Sequence, residues 1–397
     1  MSTSQSNSNA PIPVYASVGK TLTHYDLHPE TASLSRRDSL VLPYKVQYAW
    51  PHPTTPLLYV ACSNGSPEAG GDAHCIVVLR RDAASGVLSE HGIPVALPSR
   101  PVHMTVDITG QHALIAYNKP SHLTVHRIER DGRIGAIVQQ HATLDTGIYA
   151  HQVRVALSNK AVILVTRGNK ATDTRPEEPG ALKVYAYDSD SGQLTPGMSV
   201  APNGGYGFGP RHIDFHPRQP WIYASLELQN LMHLYRASAD GTKVEATPAQ
   251  VTQLLADLKG AKRRQRCGTI HVHPNGGFVY VVNRASGVEN ENGKDVYIGG
   301  ENNIVVCKID PQSGEPVIIQ HVDTCGVVAR TFALDASGRF LIAANSHPIL
   351  ARKGGKLVTI PASLAVFRVG GDGKLTYVSK VDVDTGNDTQ FWMGIVG

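Results

Sequence analysis

A seven-bladed β-propeller, all-β and closed by strands from both chain ends, is the fold class this sequence predicts. Three observations lead to it: a repeated two-strand phrase, a recurring Asp/Gly turn and an apolar strand at each end of the chain. The phrase is clearest at residues 269–284, where an alternating strand, a Pro-Asn-Gly-Gly turn and a β-branched, aromatic strand follow one another. It returns at 210–227 and 330–346, and more loosely at 151–167, 102–119 and 47–63. The aligned copies start at Gln47, Val102, His151, Arg211, Gly268 and Arg330. That is a period of roughly 50–60 residues, in the range of propeller blades.

A second pair of strands completes each repeat. Residues 304–309 and 317–321 flank the turn at 310–314, and the same chemistry recurs at 82–86, 131–132, 188–192, 239–241 and 371–373. Asp and Gly relieve the backbone at such tight reversals, so four strands per blade are expected. The chain opens on strands at 14–18 and 22–27 without an inner strand of its own, and residues 390–395 are apolar and strand-like. Pairing the two would remove an open sheet edge. Residues 1–13, rich in Ser, Asn and Pro, read as a disordered tail, and 14–397 as one domain.

Three segments break the period, at 169–181, 285–303 and 346–362. Each falls between the second and third strand of its blade. In an antiparallel meander that places all three on the face where the first strand begins, and loops gathered on one face are where a site is built.

Composition narrows the function. A net charge of +4 over 397 residues is too small to argue for nucleic acid or a membrane surface as partner. Five cysteines without a CxxC pair disfavour a disulfide framework, and no apolar run is long enough to span a bilayer, so the cytoplasm is the expected compartment. There is no GxSxG elbow, P-loop or HExxH, and the His212, Asp214, His216 alternation lacks a further ligand element. Neither a cofactor nor a metal is expected. Oligomeric state is not legible.

Two positions of the repeat open onto the loop-rich face. The start of the first strand holds His151, Arg211 and Arg330 where other blades have Val102 and Gly268, and the end of the second holds Lys119, Arg167, Glu227 and Arg284. Ionised groups on inner strands are costly unless paired or facing water, and several cations cannot all be neutralised by one Glu. The surplus predicts an anionic ligand held by guanidinium groups. His151 and Glu227 are the members of the two positions able to accept a proton, and neighbouring arginines keep Glu227 ionised. His216 and His273, beside Pro217 and Pro274 on the opposite face, read as structural.

The segments at 209–217, 270–276, 280–284, 330–332 and 335–339 resemble the lactonase family of seven-bladed propellers, over nearly the whole chain. The resemblance implies a catalytic cluster of His151, Arg211, Glu227 and Arg284, with Arg330 nearby; Arg330, Arg167 and Lys119 from the repeat positions, together with His212, are the candidates for binding substrate. Thr269 and Ala329 depart from the family's pattern, as do the insertions and Arg167, which favours an anionic lactone other than a phosphosugar. The activity so implied is cofactor-independent hydrolysis of a carboxylated or phosphorylated lactone, in carbohydrate or aromatic catabolism. Its alternatives are a muconate-type cycloisomerase using the same groups and a non-catalytic propeller that binds an anionic metabolite or a protein.

Overall fold

The structure is a computed structural model that describes residues 10–67, 69–261 and 264–396. Seven sheets of four principal strands follow one another along the chain as blades one to seven. Their innermost strands are Gln390–Ile395, Lys45–Pro51, Pro101–Val106, Ala150–Val155, Pro210–Phe215, Gln265–Val272 and Ala329–Leu334. Each touches the next, and Gln390–Ile395 touches both its blade-seven and blade-two counterparts. It pairs antiparallel with Ile12–Val18, Val14 opposite Ile395. Most of the expected tail lies outside the described residues, but its boundary moves: Ile12 and Pro13 belong to that first strand, paired with Leu27 and Asp26.

The strands form because alternating β-branched and aromatic residues present an apolar side to each neighbouring blade. One cluster joins Trp221 and Tyr223 of blade five to Ile270, Val279 and Val281 of blade six. Another joins Phe340, Ile342 and Val366 of blade seven to Val14, Tyr25 and Met393 of blade one. Each fully buried side chain of this size contributes roughly 1.5–3 kcal/mol.

Polar staples fix the stacking angle. The hydroxyls of Tyr59, Tyr223 and Tyr280 donate to the turn carbonyls of Gly132, Gly314 and Gly373 in the following blade, at 2.8, 2.7 and 2.9 Å. The recurring Gly turn therefore joins blades as well as reversing the chain.

The three insertions lie between the second and third strands of blades four, six and seven, on one face. Those of blades six and seven fold as hairpins, Val288–Glu291 with Lys294–Tyr297 and Ile349–Lys353 with Lys356–Ile360. Parallel pairing of Val296 with Leu350 and Tyr297 with Ala351 fuses them into one further four-stranded sheet.

Candidate functional site

In every blade the innermost strand carries a register irregularity near its start. In blades two, three, four, five and seven the residue left without a cross-strand partner is Gln47, Val102, His151, Arg211 or Arg330. In blade six Gly268 and Thr269 lie at the irregularity, and in blade one Phe391 and Trp392 do. A bulge re-aims the extra side chain and bends the strand. The repeat position singled out in the sequence is thus a bulge position, which re-aims one residue in five of the seven blades.

Glu227 lies at the centre of what this assembles. Its Oε1 faces Arg284 Nη2 and Arg211 Nε, the latter at 3.3 Å, and Arg266 Nη1 at 4.0 Å, while Oε2 accepts from Arg167 Nη1 at 2.8 Å. Burial by itself raises the Glu227 carboxyl; Arg284, Arg211 and Arg167 outweigh it and hold the group well below the usual carboxylate range. Burial, with Arg284 alongside, pulls the Arg211 guanidinium down to about 9, still charged at neutral pH. Arg330 is tethered by its Nε to the Phe391 carbonyl at 3.2 Å, with its guanidinium 3.7 Å from the Phe391 ring centroid. It has no carboxylate partner among the described residues. Four guanidinium groups around one carboxylate leave three positive charges over, so the site is electrostatically incomplete without an anion.

Histidines stand beside the cations. The His151 ring lies 5.3 Å from that of His212, which lies 6.0 Å from that of His103. All three are buried, and burial, reinforced by neighbouring arginines, keeps each imidazole neutral by moving its pKa down. Nδ1 of His151 and both ring nitrogens of His103 are buried without a hydrogen-bond partner among the described residues. Buried orphans of this kind mark places where water or ligand completes the structure. Three residues past positions 151, 211 and 268 on the same strands, Arg154 Nη2 donates to Asp214 Oδ1 at 2.8 Å and His271 Nδ1 lies 3.6 Å from Asp214 Oδ2. Burial raises the Asp214 carboxyl, but Arg154 and His271 hold it down at about 2.

The structure therefore brings His151, Arg211, Glu227, Arg284, Arg167 and His212 together, with Arg330 beside them. Lys119 is exposed and lies apart, lining a cavity that it shares with Arg167. Sequence reasoning missed Arg266, His103 and the Arg154–Asp214–His271 group. His103 could have been found one position after the bulge, where blades two to five carry Tyr48, His103, Gln152 and His212. Among the described residues no His, Cys, Asp and Glu cluster has the arrangement of a metal site, and no helix is long and apolar enough to cross a membrane.

Residues 12–348 match the family described as Lactonase, 7-bladed beta-propeller. A 6-phosphogluconolactonase of Bacillus subtilis is 27% identical over 274 residues, 67% of this chain and 70% of its own length. A 6-phosphogluconolactonase of Serratia proteamaculans is 24% identical over 92% of this chain and 93% of its own. Among solved structures, a periplasmic gluconolactonase of Pseudomonas aeruginosa superposes with a TM-score of 0.71 at 19% identity, covering 96% of this chain and 98% of its own. At that identity the likeness carries the fold.

Proposed function

This chain belongs to the lactonase family of seven-bladed β-propellers, and from that premise we propose that it hydrolyses an anionic lactone without a cofactor. The observation that carries the reading is the excess of guanidinium groups around Glu227, next to a neutral imidazole with a free nitrogen. Arg211, Arg284 and Arg330 bind the anion and face the carbonyl oxygen as it gains charge. His151 takes a proton from water while the water oxygen adds to the ring carbonyl carbon. The tetrahedral oxyanion then collapses, the ring C–O bond breaks, and the imidazolium returns its proton to the departing ring oxygen. The products are a free hydroxyl and a carboxylate, which the same cations stabilise until release.

Glu227 acts here as an organiser. Its two oxygens are occupied by Arg284, Arg211 and Arg167, and their charge opposes its protonation. His151 is therefore the proton acceptor of the pair. Five unpaired cysteines support a reducing, cytoplasmic setting. The pairing of Gln390–Ile395 with Ile12–Val18 supports a ring closed by both chain ends, and a chain stopped at Thr389 should melt at a markedly lower temperature than the intact one.

The test is a substrate panel: aldonolactones, 6-phosphogluconolactone, muconolactones and pyrone carboxylates, with acid release followed at neutral pH. Turnover of at least one anionic lactone is expected. Saturable binding of these compounds with no turnover of any would overturn the hydrolase in favour of a binding propeller. Formation of lactone from an unsaturated carboxylate, with no hydrolysis, would favour the cycloisomerase.

A further inference from the structure

We propose that the blade-four insertion, with Lys119 from blade three, forms a second oxyanion subsite beside the central cluster, occupied by the distal anionic group of a lactone whose carbonyl end lies at the central cluster. The proposal rests on the lactonase reading and adds a second contact point to it. A cavity of 560 Å³ opens on the loop-rich face, lined among others by Lys119, Tyr149, Arg167, Asn169, Arg175 and Glu178. That volume lies within the range of small-molecule sites, about 300–1,000 Å³.

Three cations and one carboxylate line it, and the carboxylate is already engaged. Glu178 Oε2 accepts from Asn169 Nδ2 at 2.7 Å and lies 3.7 Å from Arg175 Nε. Lys119 has no ion-pair or hydrogen-bond partner among the described residues. Arg167 belongs to both places. Its Nη1 donates to Glu227, and its guanidinium is held 4.0 Å from the Tyr149 ring centroid. The donors it does not spend on Glu227 have no protein partner among the described residues, so they are available to a ligand on the cavity side.

The insertion is built to hold this shape. Paired backbone bonds between Asn169 and Glu178, and between Thr172 and Arg175, fold it as a short hairpin. The Tyr149 ring, which forms part of the cavity wall, lies 6.5 Å from the His151 ring. A lactone whose carbonyl is at His151 therefore directs any distal substituent toward Lys119 and Arg175. Phosphate ester and carboxylate share the chemistry these cations recognise; a tetrahedral phosphate offers a third oxygen and can engage all three.

The experiment compares Lys119→Ala, Arg175→Ala and the double variant with the wild type on three substrates: 6-phosphogluconolactone, a lactone bearing a distal carboxylate, and uncharged gluconolactone. KM for the anionic substrates should rise about tenfold in each single variant, further in the double, with kcat little changed. KM for uncharged gluconolactone should stay the same. The larger rise with the phosphate or with the carboxylate substrate identifies which oxyanion the subsite takes. Equal changes for charged and uncharged substrates, or none for either, would overturn the subsite.

Binding gives an arm that does not need turnover. Inorganic phosphate and succinate titrated into the wild type and the double variant should each show a binding event that the variant weakens. If the wild type turns over no lactone but this difference is present, the hydrolase reading fails and the subsite stands. If turnover is present and the difference is absent, the reverse holds.

Discussion

The two ends of the innermost strands carry histidines in different circumstances. At the far end, His52, His216 and His273 each lie five positions after the bulge position, and their ring nitrogens are saturated by backbone. His216 Nε2 donates to the Gly276 carbonyl at 3.0 Å, and its Nδ1 accepts from the amides of Arg218 and Gln219 at 3.1 and 2.9 Å. His273 reaches Gly338 and His52 reaches Gly110 in the same way, at 2.9 and 3.2 Å. At the loop-rich end, His151 and His103 bury nitrogens without protein partners among the described residues, and His212 Nε2 accepts from Arg211 Nη1 at 3.5 Å. Saturation fixes a tautomer and makes a staple; an orphaned nitrogen leaves capacity for water or ligand. The difference lies in the partners, since residue type is shared and His216 and His273 are as buried as the histidines of the loop-rich end.

The largest effect is expected where both electrostatics and packing depend on one group. Glu227→Gln removes the one carboxylate that joins Arg167, Arg211, Arg284 and Arg266, leaving buried guanidinium groups to repel one another. Breaking a buried ion network in this way costs about 3–5 kcal/mol. A clear fall in Tm together with loss of turnover is expected, and added phosphate should restore part of the Tm. An unchanged Tm would show that the cations do not depend on Glu227.

His151→Asn should separate the two ends. It keeps much of the shape but removes the proposed proton acceptor, so kcat should fall by roughly 10²–10⁴ with KM and Tm much less affected. A Tm loss without a specific kcat loss would place His151 with the staples instead.

Acidification acts on both ends, with a definite sign. The imidazoles of His103, His151, His212, His52 and His216 all have pKa values moved below the ordinary 6.5, chiefly by burial. The unfolded chain therefore takes up their protons first, and the stability they contribute is present above pH 6.5 and lost as pH falls below it. Glu227 and Asp214 are also held below their ordinary 4.5 and 3.8, so a second decline begins as pH drops through that region. Unfolding measured between pH 8 and 3 should show this two-stage loss. The acid limb of kcat/KM should lie below 6.5. A stability maximum near pH 5 would contradict the first statement, and an acid limb of kcat/KM above 6.5 the second.

Much of this was legible because a propeller writes its geometry as a repeat. The slot residues, the three insertions and the structural reading of His216 and His273 all came from comparing equivalent positions, where one departure from a small or apolar residue stands out. What was hidden depends on contacts between separate repeats. Alignment absorbs the bulge, since every blade has the irregularity. The sheet formed by two insertions needs Val296 and Leu350 to meet across blades, which no local pattern announces. That arginines keep Glu227 ionised was legible, but not that blades four, five and six each bring one to the same carboxylate. The placement of the tail boundary failed for a simpler reason: Ile12 and Pro13 look like linker until Leu27 and Asp26 are set opposite them.

The smallest effect is the most specific test of the comparison. His216→Ala deletes a ring that accepts two amides of its own turn and donates to blade six, so it loosens one junction without touching the anion site. Gly276, at φ 73°, approaches so closely that a Cβ there would lie 2.6 Å from His216 Nε2, which means the ring and the turn are fitted to each other. Three hydrogen bonds of this kind, with some repair by water at the half-exposed turn, contribute on the order of 2 kcal/mol. Tm should therefore drop by a few degrees while kcat and KM keep their wild-type values. The opposite pattern, a kinetic defect at unchanged Tm, would mean that the far ends of the strands communicate with the site and that saturation by backbone does not mark a purely structural histidine.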